Sequence, residues 1–163
     1  MQQYRKSKQI MVGGLPMGGG APVSVQSMLN TPASDIPASL EQAKRLEAAG
    51  CQIIRAAVPN MQAVQLIDRL KQTVSVPIVA DIHFDYRLAI ESVAAGVDKV
   101  RINPGNIGDD DRVRQVVQYC KQHEVPIRVG VNSGSLEKNH PGKVWSSDRT
   151  GDGGQCAVPC FAD

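Results

Sequence analysis

Five short apolar runs recur along this chain, beginning at Pro22, Cys51, Pro77, Lys99 and Pro126, and an amphipathic helical pattern lies in each gap between them. The repeat of roughly 22–30 residues has room for one strand and one helix, the content of a βαβ unit. Successive crossovers of this kind are right-handed, so the five strands are predicted to run parallel in one sheet. Either a (β/α)8 barrel or a doubly wound sheet would produce this order.

The predicted strands are Pro22 to Met28, Cys51 to Val58, Pro77 to Ile82, Lys99 to Asn103 and Pro126 to Asn132. A first helix is expected to start at Ser39, where Ser39-x-x-Gln42 resembles a capping box, and to stop at Gly50. Further helices are expected from about Met61 to Thr73, from about Asp85 to Ala95 ahead of Gly96, and after Asp109 to Asp111. The three acids favour the first turn of that last helix, where the macrodipole is positive. Upstream, Gln9 to Val12 and Leu15 to Met17 flank Gly13-Gly14 and predict a small hairpin.

Composition narrows the function classes. A net charge of +2 over 163 residues, with few aromatics, argues against a nucleic-acid partner and against an anionic membrane surface. No apolar run approaches the ~20 residues of a membrane span, and MQQYRKSKQI lacks an apolar segment behind its basic residues, so a cytoplasmic protein is expected. Cys51, Cys120, Cys156 and Cys160 do not form a disulfide framework. Cys51 and Cys120 sit in apolar surroundings and are expected to be packed thiols. The Cys156-x-x-x-Cys160 spacing offers at most two ligands, with no further Cys or His in a plausible frame.

The strand ends carry the functional signal. Gln26 and Ser27, then Arg55, then Asp81 and His83, then Arg101 and Asn103, then Arg128 and Asn132 all fall at the C-terminal ends of their strands. In a barrel these ends share one mouth, where binding groups belong, so the barrel explains more than the doubly wound sheet. Arg55, Arg101 and Arg128 are costly to bury without anions, and three guanidinium forks in one pocket suit a diphosphate or a multiply charged carboxylate. The plainer alternative pairs each arginine with an aspartate such as Asp81 or Asp98. Pro104-Gly-Asn-Ile-Gly108 is either an ordinary strand-to-helix turn or a loop whose N–H groups meet an anion. Neither GxGxxG nor GxxxxGK[ST] occurs, so nucleotide loops of those kinds are not supported.

Beyond these patterns, Gly19-Gly-Ala-Pro-Val23, Val25-Gln-Ser-Met28, Pro77 to Arg87, Val100 to Gly108 and Pro126 to Asn132 continuing to Lys138 resemble the 4-hydroxy-3-methylbut-2-enyl diphosphate synthase family, also called IspG or GcpE. The resemblance covers about residues 5 to 138. It implies an N-terminal TIM-type barrel that takes methylerythritol cyclodiphosphate, with a smaller domain holding a 4Fe-4S cluster elsewhere in the full enzyme. The implied reaction is reductive ring opening with loss of water, in isoprenoid precursor synthesis, with flavodoxin or ferredoxin as electron donor and a homodimer as the working unit. By motif, Arg55, Arg101 and Arg128 would grip the cyclic diphosphate, Asn103 and Asn132 would assist, and Asp81 and His83 would line the same mouth. The resemblance assigns no metal role to Cys156 or Cys160, whose pattern departs from the family's three cysteines and a glutamate. A non-catalytic anion-binding fragment and another phosphate-binding barrel, such as a pterin-binding enzyme, are the competing readings.

The expected organisation is therefore a partial TIM-type barrel of about five βα units at 1–138, preceded by the hairpin, with a divergent and disordered tail at 139–163 and the iron–sulfur domain absent. A partial barrel is expected to be inactive alone. The tail lacks the periodicity of what precedes it, and a one-nucleotide frameshift accounts for that. Lys143-Val144-Trp145 must be encoded AAR-GTN-TGG, which one base later is compatible with Lys-Tyr-Gly, a family sequence near this point. Resequencing the gene between the codons for Glu137 and Lys143 is expected to expose the shift; an early stop in the alternative frame would defeat it.

Overall fold

The computed structural model of the protein describes residues 7–130. Asn132, the Cys156 and Cys160 pair, and the tail at 139–163 lie outside the described residues.

Strands β1 (Ile10–Val12) and β2 (Leu15–Met17) form the expected antiparallel hairpin, with Val12 opposite Leu15. Gly13 takes φ +55 in its turn, and a Cβ there would lie 2.9 Å from Asp98 Oδ1 and 3.2 Å from Pro77. Glycine is thus required twice, for the left-handed backbone and for the close approach. Pro77 and Asp98 precede sheet strands, so the hairpin packs beneath the N-terminal end of the sheet.

The larger sheet is built from β3 (Gln26–Met28), β4 (Ile53–Ala57), β5 (Ile78–Ile82), β6 (Lys99–Ile102) and β7 (Ile127–Val129). Every neighbouring pair is parallel, and the spatial order β3-β4-β5-β6-β7 follows the chain. A doubly wound sheet reverses its strand order at a switch point, and this sheet does not, which places it with the barrels. The first strand is shorter than predicted. Pro22 cannot donate to a ladder, Val23 is 96% exposed, and pairing begins where the Val25 carbonyl accepts from the Gln52 and Ile53 amides.

Helices α1 (Ile36–Ala48), α2 (Met61–Thr73), α3 (Tyr86–Ala94), the single turn α4 (Pro104–Ile107) and α5 (Asp110–Gln122) fill the gaps. The start of α1 corrects the predicted capping box. Asp35 is the N-cap, accepting from the Ala38 amide at 3.1 Å, and Pro37 occupies the first turn. Ser39 is instead fully buried and shares a 2.8 Å hydrogen bond with Thr31, while the Gln42 amide bonds Asn30 and Thr31. Those two polar residues fasten the β3–α1 loop to its helix.

Alternation divides the sheet into two faces. Ile54, Ile78, Ala80, Val100 and Ile102 point to the helices and join Leu66, Ile67 and Leu70 in the hydrophobic core. The opposite face carries Ile53, Val79 and the charged residues described below. Ile67→Ala is expected to cost about 2–5 kcal/mol in urea unfolding, because the side chain is fully buried in the helix–sheet layer. Val23→Ala is expected to change stability by no more than about 0.5 kcal/mol.

Candidate functional site

Parallel register sets the site. Asp81 on β5 stands opposite Arg101 on β6, which stands opposite Arg128 on β7, so the three side chains share one row and one face. Ala57 on β4 is the fourth member of that row, opposite Asp81. Its small side chain leaves space for Arg55, two residues earlier on the same face, to reach toward Asp81.

The Asp81 side chain is completely buried and gathers three partners. Arg55 donates to Oδ2 through Nε at 3.0 Å and Nη2 at 2.5 Å. Arg101 donates to Oδ1 through Nη1 at 3.2 Å. His83 Nε2 lies 3.2 Å from Oδ2; the carboxylate oxygen accepts, so Nε2 carries the hydrogen in this contact. The plainer pairing is therefore correct for two of the three arginines, and one carboxylate serves both. Asp98 takes no part, being held by Lys71 at 2.6 Å and the Ile78 amide at 2.8 Å.

Arg128 is different. Among the described residues it makes no ion pair, and burial, followed by repulsion from Arg55 and Arg101, pushes its guanidinium below the ordinary arginine range while Asp81 opposes the shift. One layer lower on the same face is Lys99, only 5% exposed, whose Nζ makes a 3.7 Å contact with the Met17 thioether. Burial pushes its ammonium below the ordinary lysine range, and Arg128 adds repulsion. Four cations thus face one carboxylate. Such an excess of buried positive charge is stable only beside an anion or at a cost to the fold.

Other expected residues have more local duties. Asn103 is 2% exposed and caps α4, its Oδ1 accepting from the Gly105 amide at 3.2 Å. That bond engages the Gly105 amide, one of the N–H groups that the alternative reading of Pro104 to Gly108 turned toward an anion. Cys51 and Cys120 are free, buried thiols, as expected, and burial pushes Cys120 up to about 11. Among the described residues no group of three His, Cys, Asp or Glu could hold a metal ion.

Two residues with a bearing on the site were not anticipated. Lys99 begins its strand and resembles an ordinary polar boundary. Gly130 follows β7, and a Cβ built on it would meet the Arg101 guanidinium. A separate cleft of about 870 Å³ lies at the opposite end of the sheet, between Met11 and Gly13 of the hairpin and Val97, His123 and Val125. The arginines do not reach it, and in barrels that end serves stability.

Known proteins resemble this chain over most of its length. A profile of the GcpE TIM-barrel domain matches residues 7–150, extending past residue 138. The 4-hydroxy-3-methylbut-2-en-1-yl diphosphate synthase (flavodoxin) of Dehalococcoides mccartyi (strain CBDB1) is 55% identical over 137 residues, covering 84% of this chain and 39% of that protein. The enzyme of the same name from Chromohalobacter salexigens is 56% identical over 137 residues, covering 84% of this chain and 37% of its own. The chain therefore spans well under half the length of these relatives. Among solved structures, Yersinia pestis dihydropteroate synthase superposes with a TM-score of 0.60 at 17% identity, covering 81% of this chain and 50% of that one. Xanthomonas albilineans dihydropteroate synthase with 4-aminobenzoic acid gives 0.59 at 13% identity, covering 77% and 52%. Likeness at these identities shows a common TIM-barrel-like fold and nothing finer.

Lys99 allows a pH test. Its folded value lies below the unfolded one, so between the two the unfolded chain binds more protons and stability rises with pH. Lys99→Met is expected to abolish that alkaline rise and to stabilise the neutral-pH fold by about 1–3 kcal/mol. Urea unfolding of both proteins across the alkaline range measures this, and an unchanged slope would refute it.

Proposed function

The chain belongs to the GcpE family through its TIM-barrel domain, and on that premise we propose that its arginine-lined mouth binds 2-C-methyl-D-erythritol 2,4-cyclodiphosphate. The observation that carries this reading is the convergence of Arg55 and Arg101 on one buried carboxylate, with Arg128 beside them on the same face and outside any ion pair among the described residues. A cyclic diphosphate brings the negative charge this face lacks. Guanidinium forks match its oxygens two at a time, and partial desolvation strengthens each contact. Asp81 holds Arg55 and Arg101 in a fixed spread, so their orientation is set before the anion arrives. His83, 44% exposed in its side chain, lines the same mouth, with Asn103 at its rim; the family motif adds Asn132 to the residues that would meet the anion.

The relatives are 4-hydroxy-3-methylbut-2-en-1-yl diphosphate synthases (flavodoxin), and the reading we adopt for the whole enzyme is the one the resemblance implies: reductive ring opening to 4-hydroxy-3-methylbut-2-enyl diphosphate, with electrons from flavodoxin or ferredoxin through a 4Fe-4S cluster in a cytoplasmic homodimer. Cys51 and Cys120 do not fit that cluster. Both are packed thiols, Cys51 ahead of β4 and Cys120 on α5, and Cys120 is held protonated by its apolar surroundings. We therefore assign to residues 1–138 the binding and orientation of the substrate and no electron-transfer step. The competing reading, a non-catalytic anion-binding fragment, shares the same binding site.

Calorimetry with the cyclic diphosphate on the 163-residue chain tests the site. Arg55→Ala, Arg101→Ala and Arg128→Ala are each expected to weaken binding at least tenfold, about 1.4 kcal/mol. Unchanged affinity in all three would refute the proposed site. Anaerobic treatment with iron and sulfide is expected to give neither cluster absorbance nor turnover, and turnover by the isolated chain would refute the restriction to binding.

A further inference from the structure

Gly130 has no backbone reason to be glycine. It follows β7, its amide donates to the Ile102 carbonyl at 2.9 Å, and its φ lies outside the left-handed region. In an extended segment glycine is an entropic liability, since it has more freedom to lose and nothing to pack. What distinguishes the position is its neighbour. A Cβ on Gly130 would lie 2.5 Å from Arg101 Nη2, 2.6 Å from Nε and 2.9 Å from Cζ, inside the contact distance of all three atoms. The obstructing atoms belong to the end of a flexible side chain, so the strand can accept a methyl group if the guanidinium leaves.

We infer that Gly130 is a positioning residue, whose missing side chain is the seat of the Arg101 guanidinium. The Nε/Nη2 edge of that guanidinium fills the place where a Gly130 Cβ would stand, while Nη1 reaches Asp81 Oδ1 at 3.2 Å. Two contacts, one on β5 and one just past β7, thereby define its place: Asp81 attracts it, and the space at Gly130 admits it. An alanine fills the seat and drives the guanidinium off Asp81, out of the row it shares with Arg128. The inference rests on the reading of this mouth as an anion site, and it adds that affinity depends on a residue that offers the anion no side chain.

A double-mutant cycle on the full chain tests it, with inorganic pyrophosphate as the probe for calorimetry and the Arg101 Nε–H resonance as a ligand-free reporter. Gly130→Ala is expected to weaken pyrophosphate binding about tenfold in the wild-type background, to have no further effect in the Arg101→Ala background, and to move the Nε–H resonance. Equal weakening in both backgrounds, or wild-type affinity in Gly130→Ala, would overturn the inference. If Arg101→Ala alone leaves affinity unchanged, the anion-site reading fails, and the resonance alone then judges the seat: unmoved, it overturns it. Should Gly130→Ala fail to fold, adding Arg101→Ala is expected to restore folding with the melting temperature of Arg101→Ala alone, because the methyl then has room. Failure of that rescue would also overturn the inference.

Discussion

Asp81 holds a carboxylate at zero exposure, and the inner face of the sheet is arranged around what that group requires. A buried charge without partners is expensive, so Arg55, Arg101 and His83 are drawn onto its two oxygens from the strand on either side and from the end of its own. Those partners in turn need space. Ala57 provides it for Arg55, and Gly130 provides it for Arg101. Removing the carboxylate would leave two guanidinium groups repelling each other over a face that already holds Arg128 and Lys99.

The two faces of the sheet obey different rules. Against the helices the chain places only apolar groups of ordinary volume, which is how a parallel sheet between two layers is stabilised. The inner face gives up part of that stability. Lys99 is buried and Arg128 half-buried, neither with a carboxylate of its own among the described residues, and Met17 of the hairpin closes over Lys99 from below. Tolerance of such groups is typical of binding sites, where the fold accepts strain that a ligand relieves.

Much of this was legible in the sequence. Short apolar runs separated by amphipathic segments located all five strands of the sheet and the four longer helices, because parallel strands and their covering helices leave strong and distinct apolar patterns. The arginines stood out because charge on an apolar strand demands an explanation. What remained hidden depends on distance in space. Ser39 and Gln42 have the residue types of a helix cap, yet their partners are in a preceding loop, and hydrogen-bonding capacity alone does not name its partner. That one carboxylate bridges Arg55 and Arg101 follows from register. Gly130 was silent because a strand glycine gives no sign of what occupies the place of its side chain.

The unbroken strand order has a kinetic consequence. Each strand pairs with the next in the chain, so every new contact closes a loop of one helix and never spans the whole sheet. Loop-closure entropy is then met in small instalments, and contact order stays low for a parallel sheet. During synthesis the sheet can lengthen one unit at a time from the N-terminal side, with β3 and β4 seated before β6 is made. The growing edge is always the newest strand, and it waits only as long as the ribosome takes to deliver one more helix and strand. Asp81 emerges after Arg55 and before Arg101, so the carboxylate already has a counter-ion when it is first covered.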